Sequence, residues 1–301
     1  SVSGDYEKAN TYYNKALSIF YHLSLMDGVC ETIYNKVINA VLAEDYENAA
    51  IYVTKCLDIL EKMKQFKISV CNTAKLLGLA ALVYVRLDSE YNCSLYLASA
   101  KRYLSHLLET KDENKFFLWD DDLFLYYYVM GLLNKKSKEY DYAQSDFEHA
   151  SYHMMRSNGN LFFSYHQFAI DQADLYRILG KKEAGDKLLN ECLEFATSHK
   201  LKQQANKVSL ALNGEIVEKT PPNLGLEEVT IEMIDELTNQ MAAKKELDRK
   251  EKDIDFLSTC QNMISQEQDK TSLIHTTMNH IQNHFLFDQI ILLSEQDGQL
   301  E

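Results

Sequence analysis

The sequence predicts an all-α chain of repeated helix pairs, followed by a long charged helix and a short α/β segment. Three observations carry this. Gly4 to Ile19, GDYEKANTYYNKALSI, sets Tyr6, Ala9, Tyr13 and Ala16 three and four residues apart, so one helical face alternates large and small. The pattern returns at intervals of 40, 45, 49 and 42 residues, measured on Ala9, Ala49, Ser94, Ala143 and Gly185. Only two prolines and ten glycines interrupt 301 residues, which favours long helices with short connections.

The later copies carry the same face. Tyr46 is followed by Ala49, Val53 and Cys56, and Tyr140 by Ala143, Phe147 and Ala150. Gly180 leads to Gly185, Leu189 and Cys192, and a weaker copy runs from Tyr91 through Ser94 and Ala98. A second apolar helix precedes each later copy. Its marks are IYNKVINAVLAEDYENAA (Ile33 to Ala50), Leu77-Gly78 with Ala81, Tyr127 with Met130-Gly131 and Asn134, and Ala169 with Ala173 and Tyr176. The unit is therefore two antiparallel helices, A then B. Small residues admit a neighbouring helix closely and the aromatics fill the space between.

Over residues 1–213 these positions resemble the tetratricopeptide repeat (TPR) family, which implies an α-solenoid. The match runs without a gap from Tyr127 through Ala150. It departs between Leu87 and Tyr91, where extra residues predict a lengthened loop or a shifted helix. The spacing also exceeds the family period of about 34 residues, so helices and loops are expected to be longer. Such long-helix variants resemble those of bacterial peptide-sensing regulators and signal-transducing ATPases. The first copy is a B helix with no A helix before it, so either a preceding segment or another segment capping this end is expected to cover it. Leu201 to Leu212 is a further A-like helix at the other end.

Pro221-Pro222, within Asn213 to Gly225, cannot continue a helix, which places a linker at 214–225. Residues 226–266 then form one charged helix. Ile234, Leu237 and Met241 begin an apolar stripe, and Leu247, Ile254 and Leu257 continue it one residue out of phase. So narrow a seam suits one partner helix, a parallel dimeric coiled coil, with the slip disturbing its winding. The alternative is a single helix packed on the repeats. Residues 267–301 hold a helix with Leu273, Ile274, Met278, Ile281 and Phe285, a strand at Asp288 to Ser294, and a hairpin turn at Gln296-Asp297-Gly298. This resembles the opening of a GAF domain, a small-molecule sensor fold whose remaining strands are expected further on.

The balance of 31 Lys and Arg against 45 Asp and Glu leaves a net charge of -14. That excludes a phosphate-neutralising nucleic-acid binder and a polybasic membrane anchor. No apolar run reaches membrane-spanning length. The six cysteines are scattered without a C-x-x-C pair and read as reduced core thiols of a cytoplasmic protein, with a disulfide or a metal as the alternatives.

No constellation of nucleophile, base and oxyanion donor occurs, nor a Gly-rich phosphate loop, so the chain reads as non-catalytic and without a cofactor. His149 with His153, and His280 with His284, stand four apart as metal ligands do, but without a third ligand nearby they read as packing or solvent-facing residues. Asp120-Asp121-Asp122 reads as N-terminal charge on the helix carrying Leu123 to Leu133. In TPR proteins the A helices line the concave groove where partners bind. That resemblance puts Tyr34, Lys75, Tyr128, Leu132, Lys135, Asp174 and Arg177 at groove positions, with Tyr127 buried beside them. An ordinary solenoid surface is the alternative. The arrangement implies a regulatory region that binds a protein or peptide and relays the state through a homodimeric helix. Proteins of similar layout often end in a GGDEF diguanylate cyclase or a histidine kinase. A peptide-binding module and a passive scaffold are the rival readings.

Overall fold

The computed structural model describes residues 5–63, 73–109, 116–157, 165–215, 229–266, 270–285, 295–296 and 299–300. These residues are helical, apart from two two-residue strands and the turns between elements. They divide into two compact units, Ser1–Thr238 and Asn239–Glu301.

In the first unit the helices are α1 (Tyr6–His22), α2 (Met26–Leu42), α3 (Tyr46–Met63), α4 (Thr73–Arg86) and α5 (Glu90–Glu109). Then come α6 (Phe116–Lys136), α7 (Tyr140–Arg156), α8 (Tyr165–Ile178), α9 (Lys182–Ser198) and α10 (Lys202–Asn213). The long helix α11 (Ile231–Gln266) gives its first two turns to this unit and the rest to the second.

Helices within a pair run antiparallel. Asn134 near the end of α6 donates to Asp146 at 2.7 Å, whereas His153 near the end of α7 meets Asp120 near the start of α6 at 2.8 Å. Cys30 and Cys56 face each other at 3.5 Å between α2 and α3. Helices α4, α6 and α8 run parallel, side by side. Lys75 pairs with Asp121 and Lys136 reaches Val85 O, while Phe124 packs on Phe168 and Lys135 pairs with Asp174.

One turn recurs throughout. In α1–α2, α2–α3, α4–α5, α6–α7, α8–α9 and α9–α10 three residues join the helices, and the middle one is left-handed: Ser24, Glu44, Asp88, Lys138, Gly180 and Lys200. In each case the next residue's N–H reaches back five residues, as in Asp45 N to Ala40 O at 2.9 Å and Lys181 N to Tyr176 O at 2.7 Å. This satisfies carbonyls that the helix end would otherwise leave open. The remaining length between pairs lies at 64–72, 110–115 and 158–164, outside the described residues.

The structure corrects the expected departure at Leu87. The α4–α5 turn has the same three residues as the others, and Cys93 and Leu97 are buried where Ser94 and Ala98 were expected. Nothing is inserted; the face is read one residue earlier. In α3, α7 and α9 the expected face holds: Ala49, Val53, Cys56, Ala143, Phe147, Ala150, Gly185, Leu189 and Cys192 are all buried. In α1 it holds only at Tyr6; Ala9, Tyr13 and Ala16 are half-buried, and Asn10 and Leu17 take the buried places. At Gly131 an added Cβ would stand 3.1 Å from the Phe147 ring, which shows why the α6–α7 contact takes glycine.

Gly214, left-handed at φ 73°, ends α10. The prolines that mark the expected linker lie outside the described residues. Helix α11 starts at Ile231, later than the expected Leu226, with the Thr230 hydroxyl accepting Met233 N at 3.4 Å. In the second unit, Phe256 of α11 stacks on His280 of α12 (Lys270–Phe285) with centroids 4.7 Å apart. Strands β1 (Glu295–Gln296) and β2 (Gln299–Leu300) pair antiparallel, and Asp297 and Gly298 of the expected turn lie outside the described residues. The expected strand at Asp288 to Ser294 lies outside the described residues. No described helix is long and apolar enough to cross a membrane.

Candidate functional site on the inner helices

The end of α4 and the middle of α6 meet α8 around three polar side chains, one from each helix. Asp171 comes from α8, on the stripe that also buries Gln167 and Leu175. Arg86 ends α4 and reaches across α6, forming an ion pair with Asp171 whose second bond is Nη1 to Oδ1 at 3.2 Å. Tyr128, on α6 between them, is 0% exposed. Its hydroxyl donates to Asp171 at 2.6 Å and accepts from Arg86 Nη2 at 2.6 Å. The Arg86–Asp171 pair thus braces α4 to α8, two helices that α6 separates.

Burial by itself would push the Asp171 carboxyl up, but the Arg86 charge and the bonds from Arg86 and Tyr128 hold it below the usual carboxylate range. Burial would likewise lower Arg86, yet Asp171 raises it well above its ordinary value. Tyr128 is pushed well up, first by burial and then by Asp171, against the opposing pull of Arg86. All three groups therefore keep their neutral-pH states: anion, cation and protonated phenol.

A second ring of contacts surrounds this one. Tyr46, at the head of α3, is buried, and burial raises its hydroxyl to about 12. Gln167 of α8 donates to Val41 O at 3.2 Å, and Lys207 of α10 pairs with Glu44 in the α2–α3 turn. The first helix pair is thereby tied to α8 and α10.

Beside the network opens a cavity of about 330 Å³. Arg86, Lys135 and Lys136 give it three cations, Asp88 and Asp171 two carboxylates, and Val85, Leu132 and Ile178 an apolar wall. Lys136 pairs with Asp88 and donates to Val85 O at 2.8 Å, while Lys135 pairs with Asp174 and lies 3.4 Å from Asp171 O.

Of the seven expected groove positions, Leu132 and Lys135 line this cavity and Asp174 pairs at its rim. Tyr128 borders the same place but is wholly buried, while Tyr127, expected inside, is half-buried and stacks on His149 and His153 at 4.9 and 5.7 Å. The tyrosines exchange places because Tyr128 has two buried partners for its hydroxyl. Lys75 lies at the other end of α4, on Asp121 at 2.9 Å. Arg177 turns away to Ala211 O at 2.9 Å and Asp186 at 3.0 Å. Tyr34 is half-buried on α2. Arg86, Asp171, Asp88 and Lys136 also belong to this place, although helix phase alone does not single them out. The signal was present: Arg86 ends the apolar run LLGLAALVYVR, and Asp171 interrupts a buried stripe.

Asp120 to Asp122 also need correction. Helix α6 begins at Phe116, so the three lie in its second turn and do not cap it. Asp120 holds His153 and Arg156, and Asp121 holds Lys75 and Ser157. They fasten α6 to α4 and to the end of α7.

The expected dimer residues fall into two groups. Ile234 and Leu237 are buried in the first unit, where the neighbouring Asp235 pairs with Lys55 of α3. Met241 is half-buried, and Leu247, Ile254 and Leu257 are more than half exposed on the second unit. Comparisons with protein-family models, with curated proteins and with solved structures each find no match to this chain.

Proposed function

We propose that residues 6–213 form a TPR-like α-solenoid that binds a protein or peptide on its inner helices, in a non-catalytic regulatory region of a cytoplasmic signalling protein. The observation that carries this reading is the parallel row α4, α6, α8, with Leu132, Lys135 and Asp174 gathered at one open end of it. Repeated helix pairs joined by one turn type support the family likeness. In this reading α11 dimerises through Leu247, Ile254 and Leu257 and passes the bound state to a GAF-like segment and an output domain. The phase slip after Met241 is where two helix registers would interconvert.

Two measurements test it. A peptide array should show a defined subset of sequences bound by the whole chain and lost in Lys135→Glu/Asp174→Lys. Uniform or unaltered binding removes the inner helices as the site. Light scattering should give a dimer that Leu247→Glu/Ile254→Glu dissociates; a monomer at every concentration removes the relay. The burial of Ile234, Leu237 and Thr238 and the Lys55–Asp235 pair favour a second reading, a passive scaffold with a rigid connector. A monomeric wild-type chain that still binds its peptides would select that one.

A further inference from the structure

We infer that the cavity beside Arg86 takes a free organic carboxylate with a short aliphatic body, held by Arg86, Lys135 and Lys136. This goes beyond the reading above, which places a protein or peptide on the inner helices. The two stand or fall on different probes.

The argument begins with charge. Three cations converge on about 330 Å³, but their counter-ions are unlike. Asp171 is 15% exposed and committed to Arg86 and Tyr128. Asp88 and Asp174 are 83% and 57% exposed, so their lysine pairs are screened surface contacts that a better-placed anion displaces. Arg86 itself lines the cavity and keeps 21% of its side chain exposed there, so a second carboxylate can share the guanidinium with Asp171.

The rest of the wall selects the body of the ligand. Val85, Leu132 and Ile178 offer apolar surface that suits a short alkyl chain and gives a bare phosphate nothing. A cation would have to compete with Arg86, Lys135 and Lys136 for Asp171, Asp174 and Asp88, the carboxylates that those three already hold. The volume sits at the low end of small-molecule sites, too small for a cofactor of nucleotide size. Occupancy has a mechanical consequence. The new anion shares Arg86 with Asp171, and that pair is the brace between α4 and α8.

Calorimetry on the whole chain at constant ionic strength tests this, with sodium hexanoate as the probe. Hexylammonium, inorganic phosphate and the peptide Gly-Gly-Leu serve as controls. Hexanoate should bind one-to-one in the millimolar range. Lys135→Met/Lys136→Met should weaken it about tenfold or more, the loss expected from two charge-assisted bonds, with circular dichroism unchanged. Should that variant fail to fold, Ile178→Asp, at a half-exposed wall position, should weaken hexanoate as well. No heat with hexanoate, equal binding of hexylammonium, equal or tighter phosphate, or indifference to both variants would overturn the assignment. Tighter binding of Gly-Gly-Leu than of hexanoate would overturn the free acid as the occupant.

Discussion

Asp171→Asn keeps the size of the side chain and removes its charge. Arg86 is then left as a mostly buried cation with only neutral partners, and removing one member of a buried pair costs about 3–5 kcal/mol. The side chains of Arg86 and Asp171 retain 21% and 15% exposure, which places the loss at the lower end, about 3 kcal/mol. For a unit of this size that lowers Tm by about 6–12 °C, from about 2–4 °C per kcal/mol. Urea unfolding followed by circular dichroism measures it, with Asp174→Asn as the control. That control breaks an exposed pair and should lose under about 1 kcal/mol. Acid supplies a second reading. The folded carboxyl of Asp171 lies below the ordinary aspartate value of 3.8, so its contribution is complete above that value and fades as pH falls through the folded pKa. The gap between wild type and variant should therefore narrow below that value. A loss at neutral pH no larger than that of Asp174→Asn would refute the brace.

Three further outcomes follow from the packing. Lys138→Gly should stabilise the chain by about 1 kcal/mol, because its φ of 62° burdens any side chain, and urea midpoints will show it. Gly131→Ala should destabilise despite a gain of about 1 kcal/mol in helix propensity, since the new methyl presses on a fully buried Phe147; a net gain in midpoint would show that the ring can retreat. Burial raises the Cys93 thiol to about 11 and that of Cys192 to about 12, so iodoacetamide at pH 8 should label half-exposed Cys260 well before either, as peptide mass mapping will report.

Helix pairing was legible because it rests on local periodicity. Ala49, Ala143 and Gly185 announce close contacts through their size alone. The turns were harder. Ser24, Glu44, Asp88, Lys138 and Lys200 are left-handed without being glycine, so their types do not betray the geometry. One consequence was the misplaced register at Ser94. The candidate site was legible in part. Leu132, Lys135 and Asp174 follow from helix phase, but Arg86 and Asp171 meet across an intervening helix, and no spacing rule links positions 85 residues apart. The burial of Tyr128 has the same origin, a long-range partner that selects one of two adjacent tyrosines.

The contacts of Gln167 with Val41 and of Lys207 with Glu44 join segments 126 and 163 residues apart in the chain. An array with only nearest-neighbour contacts can lose modules from one extremity and keep the remainder intact. Here the first module leans on the last ones. Deleting α8 to α10 should loosen α2 and α3 as well, and melting should proceed as one concerted event instead of fraying module by module.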